Sequence, residues 1–280
     1  MPSDSHAYVN AVTRKSGSNF YLAFFSLPRP QREALTAVYA FCREVDDAVD
    51  DPGEKNPKQA VEFWREEIAR TYEGKPTLPL TRSLAAAIER FQLSREYFDG
   101  ILNGVAMDLD RLRYPTFNAL LEYCYHVAGE VGLLCMEIFG YRSERLKRYA
   151  ITMGNAFQLT NILRDVGADA DNGRIYLPQE DLARFGVDEK DILAKRFTPQ
   201  FGRLMAFEGQ RARGFYRDAL VLPTVEERPH LRAAEIMRAI YEDILRRIEQ
   251  RRYDVFGTRV RVPTPTKLYL TLKTWWDYRG

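Results

Sequence analysis

Apolar residues recur at intervals of three and four through almost the whole chain, and this period decides what the chain can fold into. In PQREALTAVYAFCREVDDAVDD the stripe Leu35, Val38, Phe41/Cys42, Val45 and Val49 is that of an amphipathic helix. Pro30 suits its first turn, and Pro52-Gly53 ends it. The same spacing predicts helices over 57–72, 80–91, 94–112, 117–139, 143–170, 199–220 and 231–253. Strict alternation, the mark of a strand, is confined to a short piece at 259–262. The expected fold class is therefore all-α. The breaks are short, as at 73–77, 113–115 and 140–142, with a longer one at 171–178, and no low-complexity linker divides the chain. A single domain over 1–280 is expected, ending in a basic, aromatic segment from about 256. With 280 residues and 45% apolar content the chain can bury a full core, which excludes disorder, collagen and a coiled-coil fibre.

The formal net charge of +2 argues against a general nucleic-acid binder, and no nucleic-acid partner is expected. That total hides an asymmetry: residues 244–280 carry nine basic side chains against three acidic ones. Tyr269, Trp275, Trp276 and Tyr278 are interleaved there with Lys267, Lys273 and Arg279. Such an end suits a diphosphate site or peripheral contact with an anionic membrane, a solvated final helix being the plainer alternative. The N-terminal residues show no apolar signal-like core, and no stretch reaches the roughly 18 uninterrupted apolar residues of a membrane span. The greasiest segment, 114–141, is broken by Glu122, Glu130 and Glu137. The expected location is the cytoplasm, at most peripheral at the inner membrane. Cys42, Cys124 and Cys135 form no C-x-x-C pair and read as buried thiols of a reducing compartment.

Two pairs of aspartates stand four apart on predicted helices, Asp46 with Asp50 and Asp165 with Asp169. That spacing sets each pair on one helical face, where like charges cost about 0.2–0.5 kcal/mol. The faces extend backwards through Arg43 and Tyr39 on one helix and through Asn161, Gln158 and Gly154 on the other. Solvated charge explains one such pair as well as function does; two matched polar stripes in otherwise core-like segments shift the weight to function.

Four carboxylates facing one another across a cleft repel unless cations lie between them. Mg²⁺, held by a few carboxylates plus substrate phosphates, fits this donor set, and Mn²⁺ can replace it. Zinc is disfavoured because His6, His126 and His230 have no ligand-spaced partners. A di-iron bundle would need paired E-x-x-H motifs, which are missing, and Pro76 after Gly74-Lys75 rules out a P-loop there. A metal and diphosphate site among aromatic helices points to ionisation of an allylic diphosphate, with aromatic faces stabilising the cation and water kept out. Phe20, Phe24, Tyr39, Tyr123 and Phe157 are candidate walls, plain core packing being the alternative for each. In VAGEVGLL, Ala128, Val131, Gly132 and Cys135 form a stripe of mostly small residues that would suit either a groove for an apolar chain or close helix packing.

The blocks SGSNFYLAFFSLP, AVYAFCREVDDAVDD, YCYHVAGEVGLL and AFQLTNILRDVGADADNGRIYLPQEDL resemble the squalene and phytoene synthase family, in that family's order. The resemblance implies an isoprenoid-synthase-type helical bundle around a central cavity, and head-to-head prenyl transfer. It implies metal ligands at Asp46, Asp50, Asp165 and Asp169, and diphosphate-region polar groups at Arg43, Gln158, Asn161 and Arg164. Asp108 matches an acid near the metals, and Tyr39, Tyr123 and Tyr241 match tyrosines near the reacting carbons or the diphosphate. Ser18, Asn19, Phe20 and Phe24 match an N-terminal flap, and Val127, Ala128, Val131, Gly132, Gly154 and Phe157 an apolar tunnel. Asp110 is an alternative to Asp108, since residues two apart cannot share a helical face.

Within the family, FYLAFFSLP, CREVDDAVDD and GLLCMEIFGYR are most similar to bacterial presqualene diphosphate synthases of the hopanoid route. The expected function is Mg²⁺-dependent 1'-2-3 condensation of two farnesyl diphosphates to presqualene diphosphate. Separate hydroxysqualene- and squalene-forming enzymes would act downstream, and NADPH would be needed only for the complete squalene synthase reaction. The alternatives are a complete squalene or dehydrosqualene synthase, a phytoene synthase using geranylgeranyl diphosphate, and a non-enzymatic helical assembly factor.

Overall fold

A computed structural model describes residues 8–9, 23–24, 26–50 and 56–279, with Asp50 described in its backbone alone. The described residues form helices α1 (Arg29–Asp50), α2 (Pro57–Tyr72), α3 (Pro79–Phe91), α4 (Arg95–Asp110), α5 (Phe117–Cys124) and α6 (Glu130–Phe139). They continue as α7 (Glu144–Asp171), α8 (Gln179–Phe185), α9 (Glu189–Leu193), α10 (Pro199–Leu220), α11 (Arg232–Gln250) and α12 (Thr264–Asp277). A π-helical turn, Tyr125–Gly129, joins α5 to α6, and a 3₁₀ turn, Arg228–Leu231, leads into α11. The all-α expectation holds.

Local chemistry sets the helix ends. Asn56, Thr116, Ser143 and Thr198 each accept a backbone N–H in the first turn of the helix that follows, satisfying donors with no intrahelical partner. α3 borrows its cap from α2: buried Glu67 accepts the N–H groups of Thr77 and Leu78 at 2.7 and 3.2 Å and the Thr81 hydroxyl at 2.6 Å. Burial alone would raise that carboxyl; the bonds from Thr81, Thr77 and Arg70 outweigh it and hold it at about 2. The predicted stripe of α1 is the face it buries, with Leu35, Val38, Phe41, Val45 and Val49 all in the core.

Three departures from the sequence pattern bear on the site. The helix expected over 117–139 is interrupted by the π-turn, whose extra residue rotates the chain while leaving both flanks at helical spacing. Val127 and Ala128 line the central cleft, while His126 and Val127 also meet α4 at Gly104 and Glu130 meets it at Gly100. The alternation at 259–262 belongs to no strand: Val260 and Val262 are buried and Arg259 and Arg261 exposed, so it records one-sided burial without ladder pairing. The short α8 and α9 arise where no helical pattern was expected, and α12 is the final helix that the sequence offered only as an alternative.

Contacts between named residues give the helix directions. Tyr149 meets Glu235 and Phe157 meets Tyr241, so α7 and α11 run the same way. Gly132 packs on Ala150 and Gly154 on Ala128, so α6 and its π-turn run the opposite way. The loops before α5 and α8 lie side by side, Ile175 N–H donating to Leu112 at 3.1 Å and Gln179 N–H to Tyr114 at 2.9 Å. An isolated parallel bridge pairs Arg113 with Ile175 at that seam.

Candidate active site

α1, α6, α7, α11 and the π-turn enclose a cleft of about 1180 Å³, its open mouth included. Asp46, Gln158 and Asn161 line one end; Leu35, Met136, Phe139, Tyr149 and Ala233 line the rest with aromatic and apolar surface. Phe24, Tyr39, Val127, Ala128, Val131, Gly132, Gly154, Phe157 and Tyr241, all expected from the sequence, are on its wall. A Cβ at Gly154 would stand 2.7 Å from the Ala128 carbonyl oxygen, and one at Gly132 2.8 Å from that of Ala150. These glycines therefore serve both alternatives at once, since close backbone packing brings the two helices together as a thin wall of the cleft.

At the polar end Asp165 is gripped by two guanidiniums. Arg259 donates to it at 2.8 and 2.7 Å, and Arg164 binds the same carboxylate from the neighbouring position. Burial would raise the Asp165 carboxyl, but the Arg164 and Arg259 bonds and charges hold it below its ordinary value. Asn161 donates to Gln158 at 3.3 Å, while its own Oδ1 is buried without a hydrogen-bond partner. Tyr241 is buried beside Arg164 and Asn161 with its ring 4.7 Å from that of Phe157, and burial pushes its phenol up. Asp46 is exposed at the cleft and Asp169 is half-buried on α7. Ser18, Asn19, Phe20 and the Asp50 side chain lie outside the described residues.

Three expected residues are placed elsewhere. Arg43 is exposed on α1 and pairs with Asp47, one residue round the helix from the cleft face. Asp108 and Tyr123 belong to a buried cluster off the cleft wall, in which Asp108 accepts the hydroxyls of Tyr123 at 2.9 Å and Tyr176 at 2.7 Å. The rings of Tyr114, Tyr123 and Tyr176 pack with centroids 5.2–5.7 Å apart. Burial first, then the Asp108 charge, pushes the Tyr123 phenol well up. Asp110 points away and pairs with Lys58 at 3.1 Å on the surface, so of the two acids Asp108 is the one held inward.

Tyr176, Arg259 and Tyr149 were not singled out in the sequence. Tyr176 sits in the 171–178 break, and Arg259 was one of nine basic residues near the end. The three cysteines are free; Cys42 and Cys135 line the cleft, and burial pushes the Cys135 thiol up to about 12.

Among the described residues, no three acidic, histidine or cysteine side chains converge to hold a metal ion by themselves. The donors at the polar end are nonetheless all oxygens, and the unpartnered Asn161 carbonyl is an acceptor left open. That set fits a hard cation shared with a diphosphate.

The family model for squalene/phytoene synthase matches residues 13–266. The phytoene synthase of Arthrospira platensis is 37% identical, over 95% of this chain and 91% of its own, and that of Thermus thermophilus is 39% identical, over 90% and 86%. Among solved structures, a dehydrosqualene synthase in complex with ligand superposes with a TM-score of 0.86 at 32% identity, covering 99% of this chain and 97% of its own. The squalene synthase HpnC from Alicyclobacillus acidocaldarius gives a TM-score of 0.82 at 30% identity, covering 90% and 95%. The chain therefore belongs to the squalene/phytoene synthase family.

Proposed function

We propose that the chain joins two farnesyl diphosphates head to head, 1'-2-3, into presqualene diphosphate in a Mg²⁺-dependent reaction that feeds squalene and hopanoid formation. The observation that carries this reading is the likeness to two solved structures, a dehydrosqualene synthase with a TM-score of 0.86 at 32% identity and the squalene synthase HpnC with 0.82 at 30%, over a cleft whose apolar and aromatic wall leads away from Asp46, Gln158 and Asn161.

Asp46, Asp50, Asp165 and Asp169, with the Asn161 carbonyl, would hold Mg²⁺, which supplies the positive charge that stabilises a leaving diphosphate. Arg164 and Arg259 present charge-assisted donors to the same diphosphate oxygens. The rings of Tyr39, Phe157 and Tyr241 line the zone next to them, where the C1 cation forms and is attacked by the 2,3 double bond of the second chain. Val127, Ala128, Met153 and Met237 exclude water that would quench the cation. Tyr123 and Tyr176 position the Asp108 carboxylate behind this wall.

A phytoene-type reaction on geranylgeranyl diphosphate is the second reading, favoured by the names of the relatives in Arthrospira and Thermus. Reduction to squalene would bring in NADPH; a product left as the cyclopropyl diphosphate would pass to separate hydroxysqualene- and squalene-forming enzymes. The mass of the product from farnesyl or geranylgeranyl diphosphate, with and without NADPH, separates these.

In this reading α12 rests on an anionic bilayer, a suitable neighbour for a C30 product. What supports it is a helix whose amphipathicity is inverted. Thr274 is buried and the Thr271 hydroxyl is buried without a partner, while Tyr269, Leu272 and Trp276 are 62%, 66% and 59% exposed. Leu268 and Trp275 extend the outward apolar stripe, flanked by Lys273 and by Arg279, whose guanidinium lies over the Trp276 ring. Aromatic, leucine and basic side chains on one exposed face are those of an interfacial helix. No helix among the described residues is long and apolar enough to cross a membrane.

A further inference from the structure

The part of the cleft away from the polar end, lined also by Leu35, Met136, Phe139 and Ala233, carries a ring that is clamped from behind. Tyr149 is 1% exposed and lines the cleft, and its hydroxyl donates to Glu235 on α11 at 2.8 Å. Glu235 is itself buried, and its other oxygen accepts Arg238 Nε at 2.7 Å and the Tyr278 hydroxyl at 2.9 Å. Arg232 in turn holds the Tyr278 carbonyl at 3.2 and 2.9 Å. The ring cannot swing aside without leaving a buried carboxylate short of a donor, which costs far more than an ordinary rotamer change. An apolar chain entering from the polar end therefore meets a fixed aromatic surface, in contrast to the flexible Met136 and Met237 along the walls.

We propose that Tyr149, clamped by Glu235, is the residue that sets the longest prenyl chain this enzyme accepts. The inference rests on the prenyl diphosphate reading of the cleft and adds to it a specificity determinant. Tyr149 touches the tail of the substrate, many carbons from the reacting C1, so its effect belongs to chain length and leaves the chemistry in place. Replacing the ring by a methyl group widens the cleft at this point; replacing it by phenylalanine keeps the ring and loses the clamp.

The test uses the full-length protein with Mg²⁺ and, one at a time, the C10, C15, C20 and C25 prenyl diphosphates, reading kcat/KM and product mass. The Tyr149→Ala variant should accept chains at least one isoprene unit longer than the wild type, its preference for the longer over the shorter chain rising at least about tenfold. Tyr149→Phe keeps the ring but frees it to turn aside, so its cut-off should lie between those of the wild type and Tyr149→Ala. Should Tyr149→Ala fail to fold around the orphaned carboxylate, Tyr149→Ala with Glu235→Gln removes that charge and is read in the same way. A folded Tyr149→Ala protein, alone or with Glu235→Gln, that turns over the wild-type substrate with an unchanged cut-off would overturn the proposal. Failure of the reaction assignment appears separately, in the product and preferred substrate of the wild type, since the cut-off is compared between variants whatever that substrate proves to be.

Discussion

Arg259 holds Asp165 through a two-pronged contact, Nε to Oδ1 at 2.8 Å and Nη2 to Oδ2 at 2.7 Å, across 94 residues of sequence. The segment before α12 is thereby tied to the second aspartate pair, and a fork of donors stands at the polar mouth of the cleft. Arg259→Lys keeps the charge and loses the fork. A kcat/KM lower by about 10- to 100-fold is expected, each charge-assisted bond being worth about 1.5–3 kcal/mol. Asp165→Asn should lower turnover by on the order of 10² or more through lost transition-state stabilisation. Steady-state kinetics over a Mg²⁺ titration check both, and near-normal turnover in the aspartate variant would remove it from the reaction.

The outward face of α12 predicts binding to anionic lipid. Wild-type protein should float with vesicles rich in phosphatidylglycerol, and less so at high salt, since the basic flanks are screened. Leu272→Ser combined with Trp276→Ser should stay with the soluble fraction while keeping wild-type helical content. Equal flotation of the two proteins would disprove the contact.

Glu130 predicts a pH dependence of stability. Burial first, and then the Glu96 carboxylate, push its carboxyl up to about 8 from an ordinary value near 4.5. His126 Nδ1 lies 3.2 Å away, placed to accept from the protonated acid. A folded value above the unfolded one means the contribution is fully present below about 4.5 and is lost as pH rises through about 8. Glu130→Gln mimics the protonated form, so its Tm relative to wild type should climb between pH 5 and pH 9. A difference that stays flat over that range would contradict the assignment.

Much of this molecule was legible because its helices bury one face. The stripe Leu35 to Val49 is a strong local signal, and it sits where the structure has it. Asp46, Gln158, Asn161 and Gly154 were found because a polar or small residue every third or fourth position is conspicuous inside a core helix. The π-turn was not legible, since one inserted residue leaves both flanks in phase with a helix. α12 was legible only as a solvated final helix, without a core-facing stripe, because Leu268, Leu272, Trp275 and Trp276 face outward and Thr271 and Thr274 inward, Leu270 alone of its leucines packing on the core. Tyr176 and Arg259 act from loops, where no period marks a side chain as inward, and only the fold brings them to Asp108 and Asp165. Arg43 shows the converse: its register was right, but Asp47 draws its guanidinium to the surface.

The most direct measurement is product identification with the purified protein, Mg²⁺ and farnesyl diphosphate in the absence of NADPH, by mass spectrometry before and after phosphatase treatment. A C30 cyclopropylcarbinyl diphosphate, converted by phosphatase to the corresponding alcohol, is the predicted result, with little product from geranylgeranyl diphosphate. A C40 hydrocarbon made only from geranylgeranyl diphosphate, or no product from either substrate, would contradict the central claim.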